Sequence, residues 1–341
     1  MPDHLRSFVT KLCALPPRAT ALPPQPLNVP ALYSVLFNRE LEAQTGAVVY
    51  KQASQLAAQY HKAVQACRQQ DLAGALAHLL TVDAALTAAA RAGLPAVATD
   101  FVTLFRLSAW GNYYYKANKA ARAVEILRQG LGLSAALERQ GYPVFIYRRI
   151  EQLQNIATIY FQQQQYDLAN TLIKNTLNFV HSGRVAGLFI DDWDAATFRS
   201  MRLIQESTLD EGFGRLAKQN TQLMGHATYG NAYYCQTFFQ DLLQTLETDT
   251  YNRAVLYNWL YVKVAYHEQG PDAFYEYALS FFSDANIAPQ YDGLKANLLA
   301  QAVWEVKQHA PRDRQELMDA IRHFSLTNLL EPGGQPLKLA A

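Results

Sequence analysis

Three carboxylates crowd one short stretch of the chain, Leu188-Phe189-Ile190-Asp191-Asp192-Trp193-Asp194. Asp191 and Asp194 stand three apart, a spacing that puts two side chains on one face of a helix. Carboxylates so placed can hold magnesium against a diphosphate. That is the chemistry of the one enzyme reading the sequence offers, an all-α metal-dependent enzyme using Asp191, Asp192 and Asp194. No second metal motif follows downstream, however, and the stretch lies where a helix begins. Acidic residues there accept hydrogen bonds from free N–H groups and meet the positive end of the helix dipole. The sequence therefore predicts that Asp191 or Asp192 caps a helix, with Asp194 in its first turn. No metal or cofactor is expected.

Other chemistry-bearing residues are scattered. The eight histidines form no His-Glu-x-x-His pattern, and His267 and Glu268 are adjacent, so they point to different faces of a helix. Gly212-Phe213-Gly214-Arg215-Leu216-Ala217 has the spelling of a dinucleotide loop, but that loop works only between a strand and a helix. Its flanks here are helical, which predicts a turn or a loosened helix; Gly130-Leu131-Gly132 fails for the same reason. Cys13, Cys67 and Cys235 are far apart and odd in number, so neither a disulfide framework nor a zinc spacing is present. A reducing compartment is the expectation.

The elements that must position these residues are helices, and one spacing is written twice. Leu107, Trp110, Gly111, Tyr114, Ala123, Leu127 and Leu131 recur 46 residues later as Leu153, Ile156, Ala157, Tyr160, Ala169, Ile173 and Leu177. Steps of three and four make the stripe of one helix, and steps of four that of the next. The small residues Gly111, Ala157, Ala123 and Ala169 let two backbones approach, while Trp and Tyr fill the flanks. Weaker copies are Ala63, Ala66, Ala75 and Leu79 upstream, and Trp259, Val262, Tyr266, Gly270 and Leu279 downstream. In the last, Lys263 and Tyr275 stand where small residues are needed. The helix pairs predicted are 95–118 with 119–140 and 144–164 with 166–182.

This pattern resembles the tetratricopeptide repeat, which runs Trp-x-x-Leu-Gly-x-x-Tyr, then alanine, then a large apolar residue. The pitch here exceeds the family's ~34 residues, so the helices are longer. The resemblance implies an all-α fold, a TPR-like α-solenoid of stacked antiparallel hairpins whose first helices line a concave groove. Carried onto this chain, the groove residues are Asn112, Tyr115 and Lys116 in the first copy, and Gln154, Thr158, Phe161 and Gln162 in the second. They are mostly uncharged donors and acceptors, suited to an extended peptide. The family's Lys/Asn/Arg carboxylate clamp is not reproduced; Asn112 alone matches in kind.

Composition fills in the organisation. Residues 1–30 form a proline-rich N-terminal segment, 31–185 hold TPR-like hairpins, 186–326 hold further hairpins with a tyrosine-rich block, and 327–341 form a flexible tail. Ten of the 20 tyrosines fall between Tyr229 and Tyr291. Lys and Arg number 30 against 29 Asp and Glu, a balance that argues against a general grip on nucleic acid or anionic membrane. Leu5, Phe8, Val9 and Leu12 make an amphipathic stripe, but Asp3, Arg6 and Lys11 interrupt any export signal. No stretch is expected to reach the ~18 apolar residues of a membrane span. The sequence thus reads as a cytoplasmic, non-catalytic scaffold binding a protein or peptide partner. The alternatives are an intracellular peptide-sensing regulator and the metal-dependent enzyme above.

Overall fold

The apolar stripes fold as helices, and among the described residues no strand forms. The structure, a computed structural model, describes residues 3–15, 29–189, 193–202, 204–284, 287–309, 315 and 317–319. The chain divides into two compact units, Asn28–Gln205 and a second made of Met1–Leu27 with Glu206–Ala341.

The first unit holds α2 (Val29–Thr45), α3 (Ala47–Arg68), α4 (Leu72–Arg91), α5 (Ala96–Lys116), α6 (Ala120–Arg139), α7 (Phe145–Gln162), α8 (Tyr166–Ser182) and the short α9 (Ala195–Ser200); α1 (Asp3–Ala14) belongs to the second. The paired helices agree with the predicted bounds to within two residues at each end. Helices α3 and α4, α5 and α6, and α7 and α8 pack in pairs. Each pair is joined by a three-residue turn whose middle residue is left-handed: Gln70 (φ 65°), Asn118 (φ 59°) and Gln164 (φ 59°). In each turn the third N–H reaches back to a carbonyl five residues earlier, Asp71 to Ala66, Lys119 to Tyr114 and Gln165 to Tyr160, at 2.8–3.0 Å. This satisfies carbonyls that a helix end leaves free.

The small-residue slots sit where helices meet. A Cβ on Gly111 would stand 3.0 Å from Leu127 Cδ2, and Ala123, Ala157 and Ala169 are fully buried. The upstream slots Ala63, Ala75 and Leu79 are buried too. Polar groups then lock neighbouring pairs. Asp83 near the middle of α4 accepts from Tyr60 Oη (2.6 Å) on α3, and from Arg106 Nε (3.0 Å) and Trp110 Nε1 (3.1 Å) on α5. Arg149 on α7 donates to Glu138 on α6 at 2.6 Å, with its guanidinium 4.7 Å over Trp193, which stacks on Phe179.

By length and composition α4 is apolar enough to cross a membrane, with mean hydropathy 1.5. This corrects the expectation that no stretch is. Alanine supplies the excess, raising mean hydropathy without an unbroken run of large side chains. The carboxylate of Asp83 interrupts the helix and is engaged inside the protein.

The second unit holds α1, α10 (Gln205–Leu223), α11 (Asn231–Tyr234), α12 (Gln240–Thr245), α13 (Tyr251–Gln269), α14 (Pro271–Ser283) and α15 (Asp292–His309). The stripe Leu5, Phe8, Val9 and Leu12 buries α1 against α14, with Phe8 4.9 Å from Tyr275 and His4 Nδ1 3.0 Å from Asp272. Of the two expectations for the glycine run at 212–217, a turn or a loosened helix, the turn is not found: the run lies within α10, where Leu209, Phe213 and Leu216 are all buried. Between α11 and α12, Cys235–Phe239 form a π-helical turn that lets the consecutive Phe238 and Phe239 both be buried. Tyr234, Tyr275 and Tyr291 are core residues, whereas Tyr251 and Tyr261 stay exposed.

Candidate functional site

A cleft in the first unit lies between two helices that meet near their middles and part toward one end. Gly130 lets α6 approach α7 so closely that a Cβ there would stand 2.4 Å from Gln152 Nε2. Toward the start of α6 and the end of α7 a cleft of about 720 Å³ opens. Val124, Glu125, Arg128 and Gln129 line it from α6, and Ile159 and Tyr160 from α7, with Gln163 and Gln165 in the turn that follows. The lining mixes apolar floor with amide, phenol and charged groups. Arg128 Nη2 donates to Tyr160 Oη at 3.3 Å, and Arg122 binds Glu125 at 2.6 Å. Such a lining holds polar and apolar parts of a ligand at once.

The predicted groove residues lie elsewhere on the same helices, and the structure divides them. Lys116 and Gln162 are exposed, and Lys116 Nζ sits 5.4 Å over the ring of Tyr115. Tyr115 is half-buried, which raises its phenol above the usual range. Asn112 is half-buried, with Oδ1 shielded from solvent and accepting no hydrogen bond. Gln154 is 5% exposed, and its Oε1 is likewise unpaired. The expectation that Gln154 stands clear of the packing therefore needs correcting: α7 is flanked by both α6 and α8, so more of its circumference is covered than one apolar stripe implies. Thr158 Oγ1 donates to the Gln154 carbonyl at 2.9 Å, and Phe161 is buried against Tyr166. None of the seven lines the cleft.

The acidic stretch behaves as a helix start with a different residue in charge. Asp194 is the N-cap of α9: its Oδ1 accepts from the N–H groups of Ala196 and Thr197, both at 2.9 Å, and from Thr197 Oγ1 at 3.1 Å. Donation from the Thr197 backbone first, and from its hydroxyl next, holds the carboxyl below the usual aspartate range. Asp191 and Asp192, the predicted caps, lie outside the described residues.

A polar cluster that the sequence reading did not assemble lies in the core of the second unit. Asn297 Nδ2 donates to Ala217 O, Asn220 Oδ1 and Thr221 Oγ1, all within 3.1 Å. Asn220 donates in turn to Asn231 at 3.2 Å, and Lys263 Nζ to Asn231 Oδ1 at 3.4 Å and to Gln301 Oε1. Lys263 is 1% exposed, and burial brings its pKa down to about 7. Burial also pushes the neighbouring Cys235 thiol up to about 11, the opposite of an activated nucleophile. The signal for this cluster was present: Lys263 was the misfit in the downstream copy, and Asn297, Gln301 and Glu305 recur every four residues on α15. Only the fold shows that this polar stripe faces inward.

The chain matches no family model, no curated protein and no solved structure.

Proposed function

We infer that this protein is a non-catalytic scaffold, built like a tetratricopeptide array, that binds an extended segment of a peptide or protein partner. The observation that carries this reading is the cleft between α6 and α7. Its amides, Gln129, Gln163 and Gln165, offer donors and acceptors to a peptide backbone, and Val124 and Ile159 offer an apolar floor to side chains. The turns that fix these helices recur with the same left-handed residue at 70, 118 and 164, as expected of stacked hairpins with a shared geometry. The binding surface is thereby moved from the Asn112 row to the cleft, because Gln154 and Phe161 are buried whereas Arg128, Gln129, Gln163 and Gln165 are exposed.

The test is selection from a displayed library of random ten-residue peptides, comparing the wild type with Gln129→Ala/Gln163→Ala. Both side chains are exposed, so folding should be unchanged by circular dichroism and melting. Each lost hydrogen bond to a desolvated peptide group costs about 1–3 kcal/mol, so affinity should fall tenfold or more. A wild type that selects no peptide, or a variant that keeps every selected peptide at equal affinity, would sink the reading.

A further inference from the structure

The cleft holds a cation that is not paired with a carboxylate. Arg128 makes one hydrogen bond, to Tyr160, and lies 4.3 Å over the ring of Phe189; among the described residues it has no ion pair. Phe189 is half exposed and held at φ 58°, a left-handed conformation that a residue with a Cβ rarely adopts. A strained backbone thus keeps an aromatic face under the guanidinium, where cation–π attraction fixes the plane of the fork. Glu125, one turn away on α6, forms its ion pair with Arg122 at 2.6 Å rather than with Arg128.

A guanidinium presents five N–H donors in one plane, and only one is engaged here. The remaining edge matches two oxygens of a carboxylate or phosphate, a bidentate geometry that a lysine lacks. Because Tyr160 and Phe189 already orient the group, little freedom is lost when an anion arrives. We propose that the ligand of this cleft carries an oxyanion, a carboxylate or a phosphate on a peptide side chain, and that Arg128 is the group that receives it. The proposal rests on the peptide-binding reading and gives that site a charge preference.

The experiment uses the full chain and four immobilised pools of randomised ten-residue peptides, with the central residue fixed as Glu, phosphoserine, Gln or Ser. The Glu or phosphoserine pool should be bound at least tenfold more tightly than its neutral counterpart, and the larger of the two ratios identifies the oxyanion. Raising salt should shrink that ratio. Arg128→Gln should abolish it while binding of the neutral pools stays as it was. Arg128→Lys should keep part of it, and Phe189→Ala should weaken it with the charge intact. Equal binding of all four pools, or a preference that survives Arg128→Gln, overturns the oxyanion assignment and leaves the peptide reading standing. If no pool is bound at all, both fall together.

Discussion

The most deeply buried cations of the two units are held in opposite ways. In the first unit Arg149 is 1% exposed, with a carboxylate at 2.6 Å and an indole ring against its face. In the second Lys263 is equally buried, but its hydrogen-bond partners are amide oxygens, those of Gln301 and Asn231. A guanidinium cannot shed its proton at ordinary pH, so its burial requires a counter-charge. An ammonium has a second option, which is to become neutral, and burial drives Lys263 toward it. The first arrangement clamps α6 to α7 with a permanent charge pair. The second ties α10, α11, α13 and α15 through dipoles, and its strength depends on pH.

The largest expected effect tests the clamp. Arg149→Ala removes the guanidinium but leaves the Glu138 carboxylate in a site where its side chain is only 12% exposed. Breaking a buried pair in this way costs about 3–5 kcal/mol. Removing both charges, with Arg149→Met and Glu138→Leu together, should cost far less, since no uncompensated charge remains. Urea unfolding of the single and double variants measures the difference. Equal losses in the two would show that Glu138 reaches water once its partner is gone, and the contrast between the units would fail on that side.

The pH profile probes the other half of the comparison. Lys263 titrates near pH 7 when folded and near 10.5 when free, so the unfolded chain binds more protons in between, and stability should rise with pH across that window. Asp210 has the opposite sign. Burial lifts it to about 6, so its contribution is complete below pH 3.8 and is lost as pH climbs through 6. A stability minimum near pH 6–7 follows. The groups facing Lys263 limit the test. Cys235, raised from 9 to about 11, lowers stability above pH 9, and Tyr266, paired with Glu305, does so above 10. Melting at pH 7, 8 and 9 is therefore the measurement. Lys263→Met should flatten the rise, while staying within about 1–2 kcal/mol of wild type at pH 9, where the lost amide contacts are the main cost. A rise that persists in this variant would assign the effect to another group.

The two units also differ in how far they were legible. In the first, the stripes at Leu107–Leu131 and Leu153–Leu177 gave helices and pairing, because each contact is local and each small residue marks a close approach. Asn118 and Gln164 carry no comparable mark: a left-handed turn residue that is not glycine announces itself only weakly. The cleft was not legible, because it depends on where α6 and α7 part rather than on which faces they share. In the second unit polar side chains occupy core positions, so the period that locates a buried face is overwritten. Lys263 read as a failed repeat slot, although its burial is the organising feature of that core. The cap at Asp194 was misassigned by two or three residues, since three aspartates in one stretch satisfy the same preference and only backbone geometry chooses among them.

The smallest expected effect concerns the close end of the cleft, where the first unit departs from its own pattern. Gln152 is 1% exposed, and neither amide atom has a partner. It lies over Gly130, where a Cβ would meet Nε2 at 2.4 Å and Cδ at 3.1 Å. Gly130→Ala should gain up to about 1 kcal/mol from helix propensity. In the wild-type background that gain is offset, because the amide must move within a packed interface. In a Gln152→Ala background the obstacle is gone, and the same substitution should stabilise by about 0.5–1 kcal/mol. Urea midpoints of the four proteins close the cycle. An equal effect in both backgrounds would mean that α6 and α7 do not meet at Gly130. The cleft would then lose its hinge as well, because its opening at Arg128 and Gln163 is set by how tightly the helices are held at this end.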